Sequence, residues 1–190
     1  MAAAVDEDGT VTTFHPTTGA AAVDIEGSPG TVATSVALAP DASLIAVGDR
    51  GGTVRVWRID GDEPLELEPP EDAVFGTWVN SVAFNRSGTL IAAGSSDRTV
   101  RLWRVDDWRV ADEVVLPDAV TKIGFLPDDS VTATTIDGSV RLWDPSDQHS
   151  HGLDATTWVL GFDGPGERLA AFGSGVTGIC DASDATGPMR

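Results

Sequence analysis

The segment Thr53-Val54-Arg55-Val56-Trp57 decides the fold of this chain, because it recurs twice in nearly the same form. It returns as Thr99-Val100-Arg101-Leu102-Trp103 and as Ser139-Val140-Arg141-Leu142-Trp143, which places the three Trp residues 46 and then 40 positions apart. Weaker copies end at Phe14 and at Cys180. A period near 40 residues indicates an array of one supersecondary unit.

Two further blocks precede each copy of this segment. They are typified by Ser81-Val82-Ala83-Phe84 and by Leu90-Ile91-Ala92-Ala93-Gly94. Turn residues such as Ser95-Ser96-Asp97-Arg98 separate the blocks and allow tight hairpins. A weaker, acidic stretch such as Val110–Leu116 follows, which suits an outer edge strand. The sequence therefore predicts four-stranded antiparallel units, without a convincing helical period.

The four-strand unit, its period and its hydrophobic-Trp ending resemble the WD40 repeat family, whose members form β-propellers. The resemblance covers nearly the whole chain; the unit Val79–Arg104 is the most specific and Thr156–Asp181 the weakest. The resemblance implies an all-β propeller with about 4–5 blades, either incomplete or part of a larger propeller. Within one region, 1–190, the expected blades are 1–26 (partial), 33–68, 79–116, 120–154 and 156–183 (partial).

The sequence departs from the family in its polar residues. In this family a His, a turn Asp, a strand hydroxyl and the Trp form a buried hydrogen-bond network. The Gly-His pair is absent here, and the turn Asp is found at Asp8, Asp97 and Asp137 but not at Gly51 or Gly175. We therefore expect blades held mainly by apolar packing. The expected structural core positions are the repeat tryptophans, Trp57, Trp103 and Trp143.

Charge argues against several partner classes. The chain has 30 acidic and 12 basic residues, a net charge of −18, and a single lysine, Lys122. Nucleic acid and anionic membranes are therefore not expected as partners, because both require a basic surface. Cys180 is the only cysteine, which excludes an intrachain disulfide. No targeting segment or long apolar run is found, so we expect a cytoplasmic location.

No catalytic, cofactor-binding or metal-binding residues are predicted. The sequence has neither a nucleophile elbow nor a glycine-rich phosphate loop before a helix. Asp6-Glu7-Asp8-Gly9 lacks the remaining ligands of a calcium loop and is typical of a turn. The alternative of a metal site at His149 and His151 rests on the His-x-His spacing alone.

Two tryptophans outside the repeat, Trp78 and Trp158, precede the first strand of their units. Non-repeating aromatic residues in loops are typical of binding hot spots, although they could instead cover a gap left by the missing histidines. The candidate partner-binding surface consists of Trp78, Asn80, Ser96, Asp97, Ile136 and Trp158.

Together these features favour a non-enzymatic scaffold for protein–protein interaction. The alternative is a C-terminal sensor or regulatory propeller belonging to a larger bacterial signalling protein, a kinase or a signalling NTPase, which rests on analogy with the family. A hydrolase with a ligand in the central channel is a more distant alternative. We also expect self-association through the incomplete end blades, because an uncovered blade face is a large apolar patch.

Overall fold

The structure, a computed structural model, covers most of the chain. It describes residues 1–6, 10–14, 18, 21–25, 32–61, 63–67, 78–145, 149–162, 168–173 and 176–181. For residues 5 and 21–25, and from residue 149 onward, it describes the backbone alone.

All regular secondary structure in these described ranges consists of β-strands. In chain order the strands are β1 (Ala2–Val5), β2 (Val11–Phe14), β3 (Ala21–Ile25), β4 (Ala33–Leu38), β5 (Leu44–Asp49), β6 (Val54–Arg58), β7 (Leu65–Leu67), β8 (Val79–Phe84), β9 (Leu90–Ser95), β10 (Thr99–Arg104), β11 (Val110–Val115), β12 (Val120–Phe125), β13 (Val131–Thr135), β14 (Ser139–Asp144), β15 (His149–Phe162), β16 (Arg168–Gly173) and β17 (Val176–Asp181). Their alternating β-branched and apolar residues favour a pleated, buried backbone.

The strands form four antiparallel sheets, in which strands adjacent in sequence are also adjacent in space. The leading sheet contains β1–β3, the first blade β4–β7 and the second blade β8–β11. The last sheet contains β12–β17 in sequence order, and we call it the third sheet because it follows the first and second blades. The prediction of an all-β fold built from propeller-type blades is confirmed.

Among the side chains that the structure describes, three apolar clusters hold neighbouring sheets together, and each contains one repeat tryptophan. Trp57, 4% exposed, packs with Val11 of β2 and Ile45 of β5, and so joins the leading sheet to the first blade. Trp103 lies in the cluster between the first and second blades, and Trp143 in the cluster between the second blade and the third sheet. The third-strand tryptophan therefore packs at the interface between sheets, where burial of a large aromatic side chain stabilises most.

Two glycines allow the first strand of one blade to approach the second strand of the blade before it. A Cβ atom added at Gly94 would lie 2.5 Å from Val120 Cγ1 and 2.7 Å from Ile123 Cγ2. Gly48 occupies the same register position in the first blade, and Thr134 occupies it in the third sheet. Because Thr134 has a side chain where the two glycines have none, the third sheet does not offer the same surface for close approach.

In the second blade, two carboxylates hold the third-strand arginine. Arg101 Nη2 lies 3.2 Å from Asp97 Oδ2, and Arg101 Nε lies 2.6 Å from Glu113 Oε2 on the fourth strand. Asp97 also accepts a hydrogen bond from the Thr99 N–H at 2.9 Å. Burial would raise the pKa of Asp97, but the hydrogen bonds from Thr99 and the charge of Arg101 outweigh it and lower that pKa.

The first blade builds the same arrangement with a different residue. Arg55 pairs with Glu66 at 2.7 Å and with Asp49 at 2.5 Å. Asp49 Oδ1 also accepts the N–H groups of Gly51 and Thr53, at 2.8 and 3.0 Å. A carboxylate at the end of β5 thus replaces the one missing from the turn. Each of these two blades therefore has a partly buried ion-pair network in addition to the apolar packing that the sequence predicts.

The third sheet completes only half of this network. The hydroxyl of Thr135 and the N–H of Ser139 lower the pKa of Asp137 to about 2. Gly152, however, stands opposite Arg141, where Glu113 stands opposite Arg101 in the second blade. The Nε atom of Arg141 is buried and has no hydrogen-bond partner among the residues that the structure describes.

One strand crosses the expected boundary between the last two blades. The sequence analysis ends one blade at residue 154 and begins the next at 156, whereas β15 runs without interruption through both positions. Its residues 149–156 pair with β14 and its residues 157–162 pair with β16. Ala155-Thr156-Thr157 contains neither Gly nor Pro, so the local sequence does not impose a turn there. We call β12–β14 with residues 149–156 the third blade.

Arg98, in the turn before β10, has a backbone conformation that glycine adopts more easily, so we expect Arg98→Gly to stabilise the protein. Arg98 has a φ of 77°, while Gly52 and Gly138 hold the same place in the other blades with φ of 85° and 84°. An L-residue in this region costs roughly 1–2 kcal/mol, partly offset by the greater unfolded-state entropy of glycine. We expect Arg98→Gly to raise the free energy of unfolding by roughly 0.5–1 kcal/mol in urea titrations. Arg98→Ala, which keeps the Cβ, is the control; equal stability of Arg98→Gly and wild type would contradict the prediction.

Candidate functional site: a cleft between three turns

One cleft collects equivalent positions from three successive blades. It has a volume of about 640 Å³, and each blade contributes three of its lining residues. The first blade provides Ala33, Thr34 and Arg50, the second Trp78, Asn80 and Ser96, and the third Ala119, Thr121 and Ile136. Each set combines the entry to the first strand with the turn after the second strand.

A repeated backbone hydrogen bond fixes the rim of this cleft. In each blade, the N–H of the turn residue donates to the carbonyl of the residue just before the first strand. The three bonds run from Arg50 to Val32, from Ser96 to Trp78 and from Ile136 to Ala119, at 2.9, 2.8 and 2.8 Å. The backbone frame is therefore the same in all three blades, whereas the side chains that it presents differ.

Polar side chains link the first strands beneath the rim. The single hydroxyl hydrogen of Thr34 is shared between the carbonyl of Gly48 in its own blade, which lies 2.9 Å from Thr34 Oγ1, and the carbonyl of Val79 in the next blade. Asn80 Nδ2 donates to the carbonyl of Val120 in the third blade at 2.7 Å. These bonds between blades fix the relative positions of the first strands, and rigid strands give a binding site its shape.

The rim carries two exposed apolar side chains and one cation. Ile136 is 61% exposed and Trp78 is 46% exposed, although both are large and apolar. The Arg50 guanidinium carbon lies 4.7 Å from the centroid of the Trp78 ring, within the range of a cation–π interaction. Exposed aromatic, aliphatic and arginine side chains around a cleft form the composition that protein interfaces favour.

The structure brings four of the six predicted surface residues together: Trp78, Asn80, Ser96 and Ile136. Asp97 does not line the cleft; its side chain is 10% exposed and is bound to Arg101. The side chain of Trp158 lies outside the described residues. Arg50 was not among the predicted surface residues, although the repeat places it at the turn position that Ser96 and Ile136 hold in the other blades.

Metal sites and membrane-spanning helices would also bear on function. In the described ranges, no three or more His, Cys, Asp or Glu side chains are grouped so that they could hold a metal ion. The structure describes the backbone of His149 and His151 but not their side chains. Among the described strands and turns there is no helix long and apolar enough to cross a membrane.

Comparison with known proteins identifies the repeat. The sequence profile of the family described as WD domain, G-beta repeat matches residues 23–58, 73–104 and 115–144, just over half of the chain. No curated protein matches the chain as a whole or in part. WD40 repeats are generally scaffolds for protein–protein interaction and are typically not enzymes. With its four-stranded units, its interfacial tryptophans and these three matches, the chain belongs to the WD40 repeat family.

Proposed function

We propose that this chain is a non-enzymatic module that binds a protein partner in the cleft between the three turns. The observation that carries the proposal is the position of the exposed side chains. Arg50, Ser96 and Ile136 occupy one equivalent position in three blades, on identical backbone frames, yet they differ in charge and polarity. A role in packing would favour the same residue in every blade, whereas recognition of one asymmetric ligand requires different residues.

The chemistry of the cleft supports binding rather than catalysis. The nine described residues that line it are Ala, Thr, Arg, Trp, Asn, Ser and Ile, and none of these nine has a carboxylate, imidazole or thiol. A hydrolytic or transfer reaction requires a general base or an activated nucleophile, which these side chains do not supply. The cleft instead offers apolar contact, one cation and rigid polar groups.

The exposed apolar side chains also favour a macromolecular ligand. Trp78 and Ile136 lie on the rim, where a segment crossing the cleft would contact both. Large apolar side chains at the centre of an interface contribute most of its binding energy when water is excluded from them. An extended protein segment can cover both residues at once.

Photocrosslinking tests the proposal at two equally exposed positions. Ile136 on the cleft rim and Val115 at the end of β11 are each 61% exposed. With p-benzoylphenylalanine incorporated at either position in the native cell, we expect a discrete crosslinked protein from position 136 and none from position 115. The same crosslinked protein from both positions, or from 115 alone, would contradict the proposal.

A further inference from the structure

The cleft contains a cation that no carboxylate of the described residues neutralises. Among the described residues that line the cleft, Arg50 is the only charged one. Of the nine arginines whose side chains the structure describes, Arg55, Arg58, Arg101 and Arg104 form ion pairs, and Arg50 belongs to the remainder, which form none with a described residue.

The neighbouring carboxylate is already occupied. Asp49 precedes Arg50 in the turn, but its Oδ1 accepts the N–H groups of Gly51 and Thr53, and its Oδ2 pairs with Arg55. It is also only 2% exposed, whereas Arg50 is exposed at the rim. The charge of Arg50 is therefore directed to the cleft and not to the turn beneath it.

The Trp78 ring orients this charge for an incoming group. A guanidinium over an aromatic ring keeps its planar N–H edge available, and that edge matches the two oxygens of a carboxylate. A doubly charged phosphate is a weaker fit, because a single arginine would have to oppose it within a protein of net charge −18.

We infer that the cleft binds an extended peptide segment that presents one Asp or Glu to Arg50 and an adjacent aliphatic side chain to Trp78 and Ile136. This inference rests on the proposed function and specifies its ligand. The carboxylate accepts hydrogen bonds from the guanidinium of Arg50, while the aliphatic side chain covers the exposed part of the two apolar residues.

Three peptide libraries test the inference. Each is nine residues long, labelled, capped at both termini and randomised with uncharged residues around a fixed Leu-Asp, Leu-Asn or Leu-Lys pair. Capping leaves the Asp side chain as the only carboxylate. By fluorescence anisotropy we expect the wild-type protein to bind the Asp library about tenfold or more tightly than the Asn library, as for a hydrogen bond between charged groups.

Charge reversal provides the decisive comparison. Arg50→Glu should lose the preference for Asp and bind the Lys library best, while Arg86→Glu should leave the wild-type order unchanged. Arg86 is an exposed arginine of the turn between β8 and β9, so its replacement changes the net charge equally. Circular dichroism melts establish that both variants are folded.

The outcomes separate the inference from the proposed function. Equal binding of the Asp and Asn libraries by wild type, or binding of no library, would overturn the acidic ligand. If that equal binding were still lost in Trp78→Ala, the cleft would remain the binding site with a different ligand. Binding that survives both Trp78→Ala and Ile136→Ala would contradict the proposed site itself.

Discussion

Replacing Trp103 by Ala is expected to lower the free energy of unfolding by about 3–5 kcal/mol. Trp103 is 3% exposed and lies in the cluster between the first and second blades, with Val56, Val79 and Ile91 among its members. Truncation removes the apolar area of the indole and leaves a cavity that rigid sheets on both sides cannot fill. A typical domain is stable by about 5–15 kcal/mol, so this single change removes much of the total.

Urea titration followed by tryptophan fluorescence measures the effect of Trp103→Ala. The matched control is Trp78→Ala, which deletes the same side chain from a site that is 46% exposed. We expect the control to lose less than about 1.5 kcal/mol, since nearly half of Trp78 is already exposed to water and its ring lies against the Arg50 guanidinium. A Trp103→Ala variant as stable as the Trp78→Ala variant would contradict the assignment of Trp103 to the interface between blades.

The second large effect concerns the two arginines at equivalent register positions. Arg101→Met should cost about 3–5 kcal/mol, because it leaves the carboxylates of Asp97 and Glu113 without their cation in a partly buried site. Arg141→Met should change the stability by less than about 1.5 kcal/mol, since the glycine opposite it on β15 supplies no carboxylate, its Nε has no described partner, and its charge acts on the exposed carboxylate of Asp137. Met keeps the length of the apolar stem in both variants.

A rescue variant separates charge from packing. In the triple variant Arg101→Met, Asp97→Asn, Glu113→Gln, the two uncompensated carboxylates are removed together with the arginine. We expect it to recover a substantial part of the stability lost in Arg101→Met, because neutral amides cost less to bury than unpaired charges. Equal losses for Arg101→Met and Arg141→Met, or no recovery in the triple variant, would show that the ion pairs do not stabilise the blade.

The strand positions could be predicted because the repeat constrains them several times over. The segment ending in Trp103 has copies at a nearly fixed spacing, and each copy must present the same faces to the same neighbours. The continuous strand β15 is the exception, because its region carries the most degraded copies and lacks Gly or Pro at the expected boundary.

The polar network could not be predicted in full from the sequence. Aligning the turns places Gly51 where the second blade has Asp97, and this alignment indicates a missing carboxylate. The structure supplies it from Asp49, two positions earlier, because a side chain at the end of β5 reaches the same N–H groups. The direction of the backbone at the end of β5 decides whether position 49 or position 51 supplies the oxygen atom. Residue identity alone does not specify that direction.

The cleft was partly predictable for a related reason. Trp78 stood out as an aromatic residue outside the repeat pattern, and Ile136 was predicted as a residue of the turn after the second strand. Arg50 did not, because it lies in a Gly-rich turn where a charged residue is typically solvated. Its contact with Trp78 joins the turn of one blade to the strand entry of the next, and only the packing of blades brings those two positions together.

Affinity measurements on two double variants test whether this cleft is the partner-binding surface. Trp78→Ala, Ile136→Ala removes the exposed apolar residues of the cleft, while Val110→Ala, Val115→Ala removes residues with 43% and 61% exposure from the outer strand β11. The ligand for calorimetry is the partner protein that crosslinks to position 136. We expect the cleft variant to bind this partner about a hundredfold more weakly than wild type, and the β11 variant to bind it with unchanged affinity. Equal affinity for wild type and the cleft variant would contradict the account.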